Sequence, residues 1–303
     1  MNIKSLIKSS FVGEMLVEKL HEIEGLILPK IISDEKAIKK HYKNGTGKEL
    51  NLDNPITFCE KLNWYKINVR NPLMVKCADK IGVREYVTEK GYGENVNKVY
   101  GIYTDVNDID LSKLPARFVI KAAHGTHMQI IVKDKNEINW KKAKMLMKSW
   151  LKQDIYWRGR EWSYKEVPHR IIIEEYLEDE SGELRDYKVF CFNGVPRFIQ
   201  VDVGRYNATH NRNYYDTNWN LLSMTDDVPN NPNLNIEKPK SFEKMLEMST
   251  KLSEPLQFVR VDFYEVNGKP YLGEMTFFHN GGSVEFIPDE WNKIVGDYWT
   301  LVK

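Results

Sequence analysis

The chain has 303 residues, of which 42% are hydrophobic and 29% are charged, the profile of a globular protein with a sizeable core. Lys and Arg total 44 against 43 for Asp and Glu, so no overall field favours nucleic acid as a partner. Three widely spaced cysteines, no apolar run of membrane-spanning length and no signal-peptide core predict a cytoplasmic protein without a transmembrane segment.

The first part of the chain, up to about residue 68, is predicted to be mainly helical because its apolar residues recur at helical spacing. The amphipathic start could also lie on a membrane surface, so peripheral membrane contact is an alternative to packing on the chain's own core. Residues 44–55 predict a loop from their Gly, Asn and Pro content. A further helix is predicted over residues 76–92, with Asp79-Lys80 near its opening.

The remaining chain predicts strands with helices between them. Two β-type runs, 117–121 and 128–132, flank a small-residue loop and predict a hairpin. An Asn-rich stretch between residues 206 and 235 predicts a long loop carrying some short strands. The other candidates are helices at 140–152, 241–252 (with Ser241 as N-cap) and 288–301, and strands at 170–175, 187–192, 196–203, 258–266 and 271–275. This order predicts an α+β protein.

The C-terminal hairpin carries a pattern typical of metal chemistry. Arg260 and Asp262 share one face of a strand because side chains alternate, and Glu274 and Thr276 share one face of the next. If the two faces coincide, two carboxylates, a guanidinium and a hydroxyl form one patch, which suits Mg²⁺. An exposed sheet face with an ion pair would explain the same pattern.

Two further segments suggest a nucleotide site. Lys121, followed by the loop 122–127, can present a positive charge and backbone N–H groups to phosphates, although a solvated strand-end lysine is the simpler alternative. Residues 171–177 form a buried β-type run that ends in two carboxylates and then Leu177. Such a connecting strand could read a flat base through its backbone, although an ordinary strand end fits equally well.

The order of these pieces resembles the ATP-grasp superfamily and, within it, the TupA-like ATP-grasp proteins of capsule and teichuronopeptide synthesis. The likeness spans roughly Thr57 to Gly296 and is carried by the strings EKLNWYK, ADKIGVREYV, FVIKAAHG, RDYKVFCFNGVP and FVRVDFYEVNGKPYLGEMTF. It implies an ATP-grasp fold, in which two antiparallel-sheet subdomains clasp ATP after a short, mainly helical N-terminal region. The expected division is residues 1–70 for the helical region, 71–170 for the small subdomain and 171–303 for the C-terminal subdomain.

The resemblance also implies ATP and Mg²⁺ as cofactors and assigns residues to them. For ATP these are Lys80 and Lys121 at the phosphates, His124 and Gly125 in the phosphate loop, Glu174, Glu175, Tyr176 and Leu177 at the adenine, and Asp186 near the ribose. The implied metal ligands are Asp262, Glu274 and Thr276. Thr276 replaces the asparagine of the usual Glu-x-Asn, so a second Mg²⁺ would be held loosely or with help from His279 or Asn280.

The function implied is that of an ATP-dependent carboxylate–amine ligase that forms an amide through an acyl phosphate. Arg260 is the implied stabiliser of the tetrahedral intermediate, and Lys188 would face phosphate or substrate. The expected partners are a small-molecule or lipid-linked sugar carboxylate, such as a uronic acid, and an amino acid or small amine in surface-polysaccharide synthesis. Candidate substrate residues are Arg84, Arg205, His210 and Arg212, although a polar surface loop would explain the last three.

Two other functions remain open from the sequence. A glycosyltransferase of the same pathway would need an Asp-x-Asp-like metal motif, for which Asp262-Phe-Tyr is a poor substitute. A sugar kinase built on the same fold would have an identical nucleotide half. No pattern in the sequence indicates an oligomeric state.

Overall fold

A computed structural model describes residues 11–180, 184–204, 210–234 and 236–303. The α-helices of the described chain are α1 (Phe11–Ile31), α2 (Asp34–Thr46), α3 (Phe58–Asn68), α4 (Pro72–Ala78), α5 (Gly82–Glu89), α6 (Trp140–Trp150), α7 (Tyr156–Gly159), α8 (Phe242–Ser253) and α9 (Glu290–Asp297). Its strands are β1 (Val99–Tyr103), β2 (Phe118–Ala122), β3 (Gln129–Val132), β4 (Ile171–Glu175), β5 (Asp186–Phe192), β6 (Val195–Val203), β7 (Asn211–Asp216), β8 (Phe258–Val266) and β9 (Lys269–Thr276).

The strands form two antiparallel sheets, which confirms the predicted α+β class. The first sheet has the order β1-β4-β2-β3 and the second β7-β6-β5-β8-β9. Two hairpins of the second sheet turn at Asn193-Gly194 and Asn267-Gly268, where all four residues have positive φ. Asn-Gly favours this geometry because asparagine tolerates the left-handed region and glycine has no Cβ. The sequence therefore specifies these turns locally.

The first sheet buries one face against α6. Phe118 and Ile120 of β2 are fully buried in this core, together with residues of β4 and α6. Because side chains alternate along a strand, Lys121 lies on the other face of β2 from Phe118 and Ile120. The packing of this core thus directs Lys121 away from it.

A larger core lies between the second sheet, α8 and the helices α2 to α5. Its centre is Phe58 at the start of α3, which is fully buried. The Phe58 ring lies 5.2 Å from the ring of Phe258, 5.9 Å from that of Phe192 and 6.3 Å from that of Trp299, measured between centroids. These aromatic contacts fix α3 against the ends of β5 and β8.

The predicted three-part division does not coincide with these two cores. Helices α2 to α5 pack into the core of the second sheet rather than forming a separate unit with α1. Strand β4 pairs with β1 and β2, so the first sheet continues across the predicted boundary between residues 170 and 171. The division into subdomains stays a prediction.

The helix predicted over residues 76–92 is two helices separated at Asp79–Ile81. Asp79 leaves the helix with extended backbone angles, and its Oδ1 accepts a hydrogen bond from the Ile81 N–H at 3.1 Å. The Lys80 N–H donates to the carbonyl of Ala123 at 3.1 Å instead of to a helical carbonyl. Lys80 therefore lies in the break just before α5, and the expectation of a single helix over residues 76–92 was wrong.

Ser241 does not cap α8 through its side chain, contrary to the sequence expectation. Its N–H and Oγ instead donate to the Glu265 carboxylate, at 2.7 and 2.6 Å. The Ser241 hydroxyl thus binds a carboxylate of strand β8 and not the backbone of its own helix. Residue spacing alone does not reveal such a contact.

Helix α1 lies against α6, where Ser149 Oγ donates to Glu22 at 3.2 Å. Helix α1 has 21 residues, and together with α2 and α3 it makes the described part of residues 1–70 mainly helical, as the sequence predicts. Among the helices of the described residues, none is both long and apolar enough to cross a membrane.

The burial of Phe58 predicts a large stability effect. We expect Phe58→Ala to lower the free energy of unfolding by roughly 3–5 kcal/mol, since it leaves a cavity among aromatic rings. Urea denaturation followed by tryptophan fluorescence measures this difference. The control is Ile56→Ala, two residues earlier and 45% exposed, for which we expect less than about 1 kcal/mol. Equal losses in the two variants would contradict the assignment of Phe58 to the centre of this core.

Candidate functional site

Glu174 of the first sheet contacts two other predicted site residues, Lys121 of β2 and Arg84 of α5. Its Oε1 forms an ion pair with Lys121 of the neighbouring strand, and its Oε2 lies 2.6 Å from Arg84 Nη2. Only 5% of the Glu174 side chain is exposed. Although burial raises the pKa of Glu174, Lys121 and Arg84 outweigh this effect and hold the pKa below its ordinary value. Glu174 is therefore an ionised group that aligns two cations.

The segment after Glu174 is tied to residues 97 and 98. The Glu175 N–H donates to the Lys98 carbonyl at 2.8 Å, and its carbonyl accepts from Asn97 Nδ2 at 3.2 Å. Arg84 Nη1 donates to the Asn97 carbonyl at 2.5 Å, so Arg84 contacts this segment as well as Glu174. Tyr176 and Leu177 are partly buried beyond it. The roles of this segment at adenine, and of Arg84 at substrate, stay predictions.

The phosphate loop after β2 meets Lys80 directly. Lys80 Nζ donates to the Gly125 carbonyl at 2.6 Å. A Cβ on Gly125 would lie 2.8 Å from Ile155 Cγ1, so the loop packs too closely for a side chain there. His124 is 1% exposed, and burial lowers its pKa to about 4. Its neutral ring donates Nε2–H to the Trp150 carbonyl at 2.9 Å, since a carbonyl can only accept.

In the second sheet, four predicted residues lie on one face. Asp262 is opposite Glu274 and Arg260 is opposite Thr276 in the pairing of β8 with β9. Arg260 binds Asp262 at two points, with Nε 2.7 Å from Oδ1 and Nη2 2.6 Å from Oδ2. Arg260 Nη2 is also 3.3 Å from Glu274 Oε1, which accepts from Thr276 Oγ1 at 3.1 Å. The patch inferred from alternation is present.

The lysines reach this patch from both sheets. Burial raises the pKa of Glu274, but Arg260, Lys80 and Lys188 together lower it to about 2. In turn, burial lowers the pKa of Lys80, while Glu274 raises it. The packing agrees with this mutual effect, because α4, which ends two residues before Lys80, lies on β9, while Lys80 itself binds the loop after β2. The two sheets therefore face each other across a single site.

Lys188 lies in a buried charge network on β5 and β6. It pairs with Asp186 and lies 3.0 Å from Asp202 Oδ2, with only 4% of its side chain exposed. Asp202 also accepts from Arg212 Nε at 2.8 Å and lies 3.0 Å from His210 Nε2. Two of the predicted substrate residues thus meet on one aspartate, and Arg205 lies outside the described residues.

Two side chains near this site were absent from the sequence prediction. Burial raises the pKa of Glu161, which is also affected by Lys66, Glu274 and Arg260. Burial likewise raises the pKa of Tyr164, and the charges of Glu161 and Glu274 add to the effect. Glu161 precedes the short 3₁₀ turn Trp162–Tyr164 after α7, and Tyr164 is its last residue. No periodicity or motif in this segment signals their place, because only the tertiary fold brings it to the second sheet.

The donor set fits Mg²⁺ and a nucleotide phosphate. Across the described ranges, no cluster of three or more His, Cys, Asp or Glu side chains could hold a metal alone. Asp262 and Glu274 offer hard oxygen ligands, and Mg²⁺ commonly takes one or two carboxylates with phosphate and water oxygens. His279 does not offer its Nδ1 to a metal, because this nitrogen accepts from Arg260 Nη1 at 2.8 Å. Lys80, Lys121 and the phosphate loop supply the cationic side.

Comparison with known proteins identifies a family by sequence. The family model described as TupA-like ATPgrasp matches residues 60–300, most of the chain. No curated protein matches the chain.

Solved structures give weaker likenesses. The D-alanine–D-alanine ligase from Bacillus anthracis, complexed with ATP, is 16% identical, with a TM-score of 0.41 over 66% of this chain and 55% of its own. The L-amino acid ligase from Bacillus licheniformis is 12% identical, with a TM-score of 0.43 over 73% of this chain and 46% of its own. The match thus spans about half the length of these structures.

The network around Glu174 predicts a pH dependence of stability. Its lowered folded-state pKa means that Glu174 contributes stability above its unfolded pKa of about 4.3, which is lost as the pH falls through the folded value. We expect the gap in free energy of unfolding between wild type and Glu174→Gln to shrink between about pH 6 and about pH 3. Urea denaturation across this range measures it.

The control for this experiment is Glu178→Gln. Glu178 pairs with Arg117 at the surface, where both side chains are about half exposed. We expect this variant to follow the wild-type pH dependence closely, since exposed pairs contribute little. A gap between wild type and Glu174→Gln that stays constant with pH would contradict the ion-pair network.

Proposed function

The chain belongs to the TupA-like ATP-grasp family, and from that membership we propose that it is an ATP-dependent ligase that joins a carboxylate to an amine. The observation that carries the proposal is the position of Lys80, which binds the loop after β2 and lies two residues beyond α4, a helix that packs on β9. It sets the lysines and phosphate loop of one sheet against the Arg260–Asp262–Glu274 patch of the other. This is the arrangement needed to neutralise a nucleotide's phosphates from two sides.

The first step would bring two anions together. A carboxylate oxygen of the substrate bonds to the γ-phosphorus while the bond to the bridging oxygen breaks and ADP leaves. Lys80 and Lys121 would hold the phosphates, and Asp262, Glu274 and Thr276 would hold Mg²⁺, with the metal supplying further neutralisation of phosphate charge when bound. The repulsion between these anions raises the activation free energy, and residues that neutralise the developing charge lower it most.

The second step forms the amide. The amine nitrogen bonds to the acyl carbon, the carbon–oxygen bond to phosphate breaks, and the nitrogen loses a proton. Arg260 would stabilise the oxyanion of the tetrahedral intermediate, because its guanidinium is buried and oriented by Asp262 and His279. Lys188, whose position opposite Asp262 brings it to the same patch, would face the phosphate or the substrate.

The proposed carboxylate is a uronic acid of a surface polysaccharide, free or linked to a nucleotide or lipid. The proposed amine is an amino acid or small amine. The positions of Arg212 and His210 favour an anionic sugar as substrate. With Lys188 they form a row of basic side chains that runs from β5 to β7. Asp202 already accepts from all three, so the sugar would meet a network with its charges largely balanced.

A sugar kinase is the second candidate, because the nucleotide half would serve phosphoryl transfer to a hydroxyl equally well. Arg260 favours the ligase, since a kinase forms no tetrahedral acyl intermediate for it to stabilise. Product analysis separates the two: accumulation of a phosphoester without any amine would support the kinase. A glycosyltransferase would bind a nucleotide sugar in preference to ATP.

The nucleotide site predicts selective, lysine-dependent binding. By calorimetry with Mg²⁺, we expect ATP and ADP to bind in preference to UDP-sugars, and Lys121→Ala to weaken binding at least about tenfold, since a charge-assisted contact to phosphate is lost. The matched control is Lys133→Ala, an exposed lysine just beyond β3, which should bind as wild type does. Preference for a UDP-sugar with ATP ignored would overturn the ligase and favour the glycosyltransferase.

The metal patch predicts a loss of turnover. We expect Glu274→Gln to lower kcat by roughly 10²-fold or more, because a neutral amide replaces a charged metal ligand. The assay is phosphate release with a uronate and a panel of amines. Full activity of this variant with Mg²⁺ would contradict the assignment of Glu274.

A further inference from the structure

The orientation of Arg260 depends on the turn His279–Gly282 that follows β9. Arg260 Nη1 donates to His279 Nδ1 at 2.8 Å, and His279 is only 2% exposed. Burial lowers the pKa of His279 far enough to keep its ring neutral, so Nδ1 has a lone pair to accept with. Displacement of this turn would remove one of the contacts that hold the guanidinium.

The turn has an unusual backbone. Asn280, Gly281 and Gly282 have φ values of 48°, 61° and 71°, three left-handed residues in succession. The two glycines adopt this region without steric cost, so contacts from the surrounding structure are needed to select this conformation among the others open to them. The surroundings are close, since a Cβ on Gly282 would lie 2.8 Å from Asn63 Nδ2.

Helix α3 supplies the contacts. Asn63 Nδ2 donates to the Gly282 carbonyl at 2.7 Å, and Lys66 Nζ donates to the Gly281 carbonyl at 2.8 Å. Lys66 Nζ also donates to the Gly159 carbonyl at 3.1 Å, next to the segment that carries Glu161. Asn63 and Lys66 are each 1% exposed. Both belong to the string EKLNWYK, to which the proposed mechanism gives no role.

A buried ammonium is an expensive way to bind two carbonyls. Desolvation lowers the pKa of Lys66 to about 8, although the charge of Glu161 opposes this shift. Burying such a charge costs free energy unless it is paired and hydrogen-bonded. A methionine would fill the same space without this cost, so the presence of lysine points to a role beyond packing.

We propose that Lys66 is a positioning residue for Arg260. Together with Asn63 it fixes the turn His279–Gly282, and the turn holds His279 against the guanidinium. The inference rests on the proposed ligase function, in which Arg260 stabilises the tetrahedral intermediate. It adds that helix α3, which carries none of the predicted nucleotide residues, sets the geometry of the amide-forming step.

The chain contains a matched control on the same helix. Lys61 Nζ donates to the carbonyls of Gly296 and Trp299, at 2.8 and 2.7 Å. Lys61 and Lys66 therefore make the same kind of contact, a cation bound to two backbone carbonyls. Lys61 ties α3 to the C-terminal end of the chain, whereas Lys66 ties it to the turn behind Arg260. Lys61 is only partly buried whereas Lys66 is fully buried, so a purely structural role would separate the two variants in stability and not in kcat.

The experiment compares Lys66→Met with Lys61→Met. We expect Lys66→Met to lower kcat by roughly 10- to 100-fold, because a small misplacement of a catalytic group has effects of this size. Its Kd for MgADP should stay within about twofold of wild type, since the nucleotide residues are untouched. Lys61→Met should change kcat by less than about threefold. Equal kcat losses in the two variants would overturn the proposal.

A double-variant cycle tests whether Lys66 acts through His279. If it does, Lys66→Met combined with His279→Ala should be no slower than the slower single variant. Multiplied losses would mean that Lys66 acts by another route and would overturn the proposal. Should Lys66→Met fail to fold, Asn63→Ala removes the neighbouring donor to the turn without touching a charge, and it enters the same cycle.

A spectroscopic measurement separates failure of this inference from failure of the proposed ligase. The side-chain Nε–H signal of Arg260, assigned by its absence in Arg260→Lys, should shift in Lys66→Met and stay in place in Lys61→Met. If Lys66→Met shows this shift but the wild-type protein has no ligase activity, the positioning role stands and the proposed function is wrong. An unmoved signal in Lys66→Met would overturn the positioning role whatever the activity.

Discussion

The site depends on one extra residue in strand β9. Asp262 is opposite Glu274, but the adjacent Phe263 is opposite Leu272, so Gly273 is additional on the β9 side. Without this irregularity the pairing would set Gly273 opposite Asp262 and turn Glu274 to the face that Val261 occupies in the core. With it, Leu272 and Met275 are both buried in the core while Glu274 meets Arg260. A single inserted glycine thus reconciles a hydrophobic core with a charged site.

The charges of the site are balanced within the described protein. Lys121 pairs with Glu174, Lys188 with Asp186 and Asp202, and Arg260 with Asp262. Burying a charge without a partner is far more costly than burying a pair, so removing one member leaves the other exposed to the full penalty. A substitution here will therefore change activity partly through the unpaired charge that it leaves behind. Isosteric amides, compared with substitutions at the surface, are the most informative changes for this reason.

Features specified by neighbouring residues could be predicted from the sequence, whereas those specified by distant contacts could not. Local rules explain three features: the Asn-Gly turns, the orientation of Lys121 and Ile120 to different faces of β2, and the shared face of Arg260 and Asp262. The break at Lys80 exists because its N–H meets Ala123, more than forty positions away along the printed sequence. The approach of Glu161 to the second sheet likewise depends on tertiary structure, and residue spacing carries no trace of it.

The segment between α6 and β4 connects the parts of the molecule that these distant contacts bring together. Tyr164 packs against both hydrophobic cores, Gly159 accepts from Lys66, and Arg160 Nη1 lies 2.9 Å from Asp34 at the start of α2. Asp34 precedes the matched residues 60–300, whereas Lys66 lies within them. The helices before the matched region are therefore joined to the segment that carries Glu161 toward Arg260. Arg160 is 3% exposed and Asp34 is 45% exposed, and the Tyr156 hydroxyl donates to the same carboxylate, so two groups of this segment hold α2 at a half-buried junction.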